Sequence, residues 1–174
     1  MTRAQLLALT GMAPPVWSML KQRNVLPYAH DKKRERNTYD ADDVLRLMVF
    51  VELTAGGKAQ EQAAGWIRSE LSELLESARG AKGAGDWYFG AVTFTGHDEG
   101  EPSTRIHEPI LVRLADLDAH IQKVVKLAKL DTRELSEVFI INLSGVVRGL
   151  LARSRKIGIE NELSEIRWLA DGST

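Results

Sequence analysis

Hydrophobic and polar positions change their period several times along the chain, and these changes divide it into elements. Leu6, Leu7 and Leu9 form a short helical stretch that stops at Gly11. Val16, Trp17 and Leu20 then mark one side of a second short helix. Pro15, Ser18, Lys21 and Gln22 fall on its other side. Asp40, Asp42 and Asp43 open a third helix, since acids suit the positive end of a helix. Val44, Leu45, Leu47, Met48, Val51 and Leu53 supply its apolar positions, and Gly56-Gly57 ends it. Ala63, Ala64, Ile67, Leu71, Leu74 and Leu75 continue at helical spacing over about residues 59–78.

The pattern then breaks. Residues 80–85 hold three glycines, so 79–86 is expected to be a linker between residues 1–78 and a second domain at 87–170. Beyond the linker the period shifts toward β. Residues 87–94 are rich in Trp, Tyr, Phe, Val and Thr, and 106–114 form a second extended run with Pro109 at an edge position. A β-hairpin is predicted, with the polar turn at 96–102. Residues 114–130 read as a helix with Leu117, Ile121, Val124, Val125 and Leu127 on its apolar side. Asp131-Thr132 is expected to cap a longer helix carrying Leu135, Val138 to Ile141, Leu143, Val146, Val147, Leu150 and Leu151. That surface is too wide for one face, which calls for burial on several sides. A homodimer interface through Leu135, Phe139, Val146 and Leu150 is the expected solution. Ile159, Leu163, Ile166 and Leu169 suggest a last short helix. The fold class is therefore mainly α: a winged helix-turn-helix, then an α+β domain with a β-hairpin and long dimerisation helices.

The first forty residues carry the functional signal. A helix, a turn containing glycine and a second helix make the helix-turn-helix layout, whose second helix enters the DNA major groove. Proline at the start of that helix costs nothing, because the amide it lacks has no partner there. Arg3, Pro14, Pro15, Ser18, Lys21 and Gln22 are the candidate DNA contacts of the two helices. Four of the five residues from Lys32 to Arg36 are basic, and Lys32, Lys33, Arg34, Arg36, Asn37 and Tyr39 are the candidate contacts of a following wing. Such a run suits phosphate contact, which sets register without reading sequence.

The stretch resembles the winged helix-turn-helix of MerR-type regulators and the related phage excisionases. The matching residues are Leu6, Leu7, Leu9 to Pro14, Trp17, Arg23 to Pro27, Tyr39, Asp43, Val44, Leu47, Leu53 and Gly57. The resemblance covers about the first 70 residues. It departs at Ser18, where the family usually carries arginine, and at Asn24, where it usually carries glycine. It implies a dimeric, sequence-specific transcriptional regulator. The alternative it leaves open is a phage-type excisionase, architectural protein or packaging adaptor that assembles on DNA. Double-stranded DNA and a second copy of the chain are the expected partners. RNA polymerase and a small-molecule effector are further candidates.

Charge changes this picture little. The whole chain has a formal net charge of -1, yet residues 1–40 hold seven Lys and Arg against three acids. Local field, not total charge, steers a polyanion. The absence of cysteine excludes disulfides, thiolate catalysis and zinc-thiolate sites. Hydrophobic content of 44% and charged content of 27% suit a soluble globular protein. No apolar run is long enough for a membrane span or signal peptide, so a cytoplasmic site is expected. His97, Asp98, Glu99 and Glu101 cluster in a Gly- and Pro-bounded turn, where polar residues are ordinary. His107 and His120 lack a partner at ligand spacing. No phosphate loop or nucleophile elbow occurs, and neither enzymatic activity, a cofactor nor a metal is expected.

Overall fold

The structure is a computed structural model and describes residues 1–28, 38–81, 84–96, 104–130 and 133–171. Three helices come first: α1 (Arg3–Thr10), α2 (Pro14–Gln22) and α3 (Ala41–Ala55). Helix α4 (Gln60–Trp66) runs through one widened π-type turn (Ile67–Leu71) into α5 (Ser72–Ala78). Buried Arg46 of α3 accounts for how that irregular turn is held. Its guanidinium donates to Ile67 O at 2.9 Å, to Asp42 Oδ2 at 2.5 Å and to Ser72 Oγ. A widened turn leaves a carbonyl without its usual helical partner, and a buried carbonyl must find another.

The sheet follows as β1 (Trp87–Gly96) and β2 (Thr104–Arg113), then α6 (Leu117–Leu130), β3 (Arg133–Asn142) and α7 (Leu143–Lys156). A ten-residue 3-10 segment, Glu160–Leu169, closes the described chain and buries Leu163, Ile166 and Leu169. All pairing is antiparallel in the order β2-β1-β3. The expected hairpin is present, with Pro109 on the edge strand β2 opposite Ala91.

Residues 133–142 correct the sequence reading. They form a third strand, and the helix expected to follow the 131–132 cap begins ten positions later than residue 133, at Leu143. Asp131 and Thr132, its expected cap, lie outside the described residues; Asn142 caps instead, accepting the Gly145 amide at 2.6 Å. Periodicity alone cannot separate a short continuous apolar run in a strand from one in a helix. The choice is made by β1. Gly90 lies opposite Ile140, and a side chain at Gly90 would overlap Phe139 O and Ile140 Cα. Only glycine permits that backbone approach.

Both faces of the sheet are covered. Phe89 and Ala91 belong to the main buried cluster, with Leu111, Phe139 and Ile141 packed on it. Val92, Phe94, Ile110 and Val112 face the other way, against Ala128, Ile121, Val124 and Val125 of α6. The main cluster also takes in Leu6, Leu9, Leu20, Leu45 and Ile67 from before the glycine-rich stretch, and Leu143, Val147, Leu150 and Leu163 from after it. Helices α1 and α3 pack on α7. The chain is thus an α+β protein whose three-stranded sheet lies between a helical body and one further helix.

Candidate nucleic-acid interface

Local chemistry sets where α1 and α2 begin and end. Thr2 and Gln5 form a reciprocal cap at the start of α1: the Gln5 amide donates to Thr2 Oγ1 and the Thr2 amide to Gln5 Oε1. Gly11 ends the helix at φ 70°, a left-handed conformation that a side chain disfavours, and its amide reaches Leu7 O at 2.9 Å. Helix α2 then starts on Pro14 and Pro15.

Its inward side is fixed by Trp17, whose Nε1 donates to Tyr28 Oη at 3.0 Å in a buried site. Burial raises the Tyr28 phenol far above its ordinary range, so the group stays protonated and remains an acceptor with one proton of its own. Tyr39 meets the rings of Trp17 and Tyr28 edge-on, at 6.5 and 6.1 Å between centroids. Asn24 closes α2 at φ 56°. The Asn24 amide donates to Lys21 O and the Val25 amide to Leu20 O, the paired bonds of a left-handed helix stop. Asparagine tolerates this conformation better than most side chains.

The outer side of α2 exposes Pro14, Pro15, Ser18, Lys21 and Gln22, and Arg3 of α1 is exposed as well. The Arg3 guanidinium and the Lys21 ammonium lie 5.5 and 5.4 Å from the Trp17 ring centroid. One indole thus brings together cations from two helices. Neither cation makes an ion pair with another described residue, whereas Arg23 pairs with Glu61 of α4 at 3.0 Å. Lys32, Lys33, Arg34, Arg36 and Asn37 lie outside the described residues. Tyr39 is only 8% exposed and packs in the base of this unit, so it supports the surface and does not line it.

Val16 departs from the sequence reading. Expected on the apolar side, it is 42% exposed, and Met19 is 39% exposed. The signal for Met19 is helical phase: at 100° per residue it points away from Trp17 and Leu20.

The four expected dimerisation residues do not share one helix. Leu135 and Phe139 are on β3, while Val146 and Leu150 are on α7. Leu150 is fully buried inside its own chain and is unavailable to a second one. Phe139 is half-buried against Gly56 at the end of α3, with the Lys58 ammonium 4.7 Å from its ring centroid. Leu135 is 44% exposed.

Two polar clusters escaped the sequence reading because their members are far apart in the chain. His107 Nδ1 is 2.9 Å from Thr93 Oγ1 and its Nε2 is 3.1 Å from Gln62 Nε2, beside the Trp66 ring. Burial, and then the nearby Lys58 ammonium, hold its imidazole below the ordinary histidine range. Both ring nitrogens are therefore engaged in packing α4 on the sheet. Arg148 grips Asp86 through two bonds, at 2.8 and 2.6 Å, and Asn142 adds a third at 2.9 Å. Among the described residues no three His, Asp or Glu side chains gather as metal ligands would, and no helix is long and apolar enough to cross a membrane. His97, Asp98, Glu99 and Glu101 lie outside the described residues.

Comparison with known protein families, curated proteins and solved structures finds no match to this chain.

Proposed function

We propose that this chain is a sequence-specific DNA-binding regulator of transcription, with α1 to α3 and the basic segment after Tyr28 forming a MerR-like winged helix-turn-helix. One observation carries the reading: Arg3 and Lys21, from successive helices joined at Gly11, converge on Trp17 beside the exposed face of α2. A helix presenting short polar side chains between cations suits a groove walled by phosphates. Residues 1–30 contain no Asp or Glu to repel those phosphates. The proposed reader face is Pro14, Pro15, Ser18, Lys21 and Gln22, and the proposed backbone clamp is Arg3 with Lys32, Lys33, Arg34, Arg36 and Asn37. The protein acts as a homodimer on a two-fold site, because a single short recognition helix reads too few base pairs for specificity. RNA polymerase is the partner implied by a promoter-bound regulator of this kind.

The test is a set of binding isotherms across salt concentrations. Replacing Lys32, Lys33, Arg34 and Arg36 together with alanine should weaken DNA binding strongly at moderate salt. It should also flatten the slope of log affinity against log salt by about 3 to 4, the value for four lost phosphate contacts. Unchanged affinity and slope would remove the wing from the interface.

A further inference from the structure

A cleft of about 280 Å³ lies between α3 and α7, where β3 ends. Met48, Ile141 and Val146 give it apolar walls, and Glu52 and Arg153 bring one charge of each sign to it. Both charged side chains are half-buried, and neither has an ion-pair partner among the described residues. The Arg153 guanidinium folds back along its own helix, donating to Gly149 O at 3.3 Å, with Nη2 3.9 Å from Met48 Sδ. Two other arginines of α7 do find acids: Arg148 pairs with Asp86 and Arg155 with Glu160. Asn142 also lines the cleft, but its side chain is already committed to the Gly145 amide and to Asp86. The cleft thus offers two unpaired charges beside apolar walls. A second cleft of about 280 Å³, beside the turn between α1 and α2, is lined by no charged side chain.

These groups select an occupant by charge and size. A simple anion drawn to Arg153 meets the Glu52 carboxylate, and a simple cation drawn to Glu52 meets the guanidinium. A neutral molecule leaves two half-buried charges unpaired, which costs free energy. A zwitterion satisfies both. The volume is at the low end for ligand sites, so the occupant is small. Arg153 meets α3 at Met48, and Glu52 lies one turn further on, about 6 Å along the axis. That spacing suits charges at the two ends of a methylene chain more than charges that share one carbon. We propose that the cleft binds an ω-amino acid. Its carboxylate accepts from Arg153, its ammonium donates to Glu52, and its methylenes lie on Met48, Ile141 and Val146. The walls come from α3 on one side and from β3 and α7 on the other, so the ligand joins the helical N-terminal segment to the sheet segment. Nothing in this site depends on DNA binding.

The probe is ε-aminohexanoate, titrated against the full chain. Hexanoate and hexylamine are the controls, since each keeps the carbon chain and one of the two charges. The zwitterion should bind about tenfold more tightly than either, the worth of one added hydrogen bond to a charged group. It should also raise the melting temperature, because it binds only where α3 and α7 are assembled. Glycine, whose charges share one carbon, should bind more weakly. Glu52→Gln should abolish the advantage over hexanoate and keep the advantage over hexylamine. Arg153→Gln should do the reverse. Absence of saturable binding, equal binding of the zwitterion and either control, or glycine binding as tightly as ε-aminohexanoate overturns the proposal. So does an advantage over both controls that survives in each variant. Should a variant fail to fold, the comparison of the four compounds on the unaltered chain still decides.

Discussion

At the scale of the residue, Asp86 decides how the sheet begins. It precedes β1 and is held by Arg148 of α7 and Asn142 at the end of β3. The Arg148 hydrogen bonds, followed by the one from Asn142, pull its carboxyl down to about 2. A carboxylate held below its unfolded value stabilises the native state at pH above about 4. That contribution is lost as pH falls through the folded value near 2. Asp86→Asn should therefore lower the melting temperature at pH 7, and the gap to the unaltered protein should close as both are melted toward pH 2. A gap equally wide at both ends would show that the charge contributes nothing. In the sequence Asp86 ends a glycine-rich run and signals only a turn. Its partner lies 62 positions away, beyond any local pattern. The reverse holds for Gly11 and Pro14, whose roles depend on their own backbones and were legible at once.

At the scale of the element, β3 shows where periodicity runs out. Val138 to Ile141 are four consecutive apolar residues, equally acceptable to a buried strand or a buried helix. The strand exists because β1 offers an edge, with Gly90 allowing close approach. Gly90→Ala should accordingly destabilise the protein by about 3 kcal/mol, the upper range for overpacking a filled core. Urea denaturation measures it, and a loss below about 1 kcal/mol would mean that β3 can shift to make room. Helices α1, α2 and α3 needed no such external choice. Each carries a start signal, an apolar side and a stop within its own residues.

At the scale of the whole molecule, the helical N-terminal segment and the sheet segment share one buried cluster. A sequence reading that places a boundary in the glycine-rich stretch cannot see this, because the shared contacts join residues about a hundred positions apart. The same packing changes which residues remain for a second copy of the chain. Leu150 is interior, while Leu135 and Val138 are 44% and 38% exposed on β3, at one edge of the sheet. Exposed apolar edge strands are ready templates for pairing. If the chain dimerises there, Leu135→Lys with Val138→Lys should halve the mass seen by light scattering without changing the melting curve of the monomer. An unchanged dimer would move the interface elsewhere, and a larger assembly that survives on DNA would favour the architectural alternative.

What the sequence determined by itself was everything encoded within a few neighbouring residues. The capped α1, the left-handed stop at Gly11, the proline start of α2, the acidic start of α3 and the β1–β2 pair all follow from local backbone and side-chain preferences. The concentration of positive charge in the first forty residues is equally plain in composition. Tertiary structure alone decided the rest: β3 as a strand, Leu150 in the core, Tyr39 as a support, and Arg3 beside Lys21 on Trp17. Apart from Lys21, which lies one turn from Trp17 on the same helix, each of these depends on surfaces that separate elements bring together. Burial and close approach are properties of the folded whole, whereas a cap or a turn is a property of its own few residues.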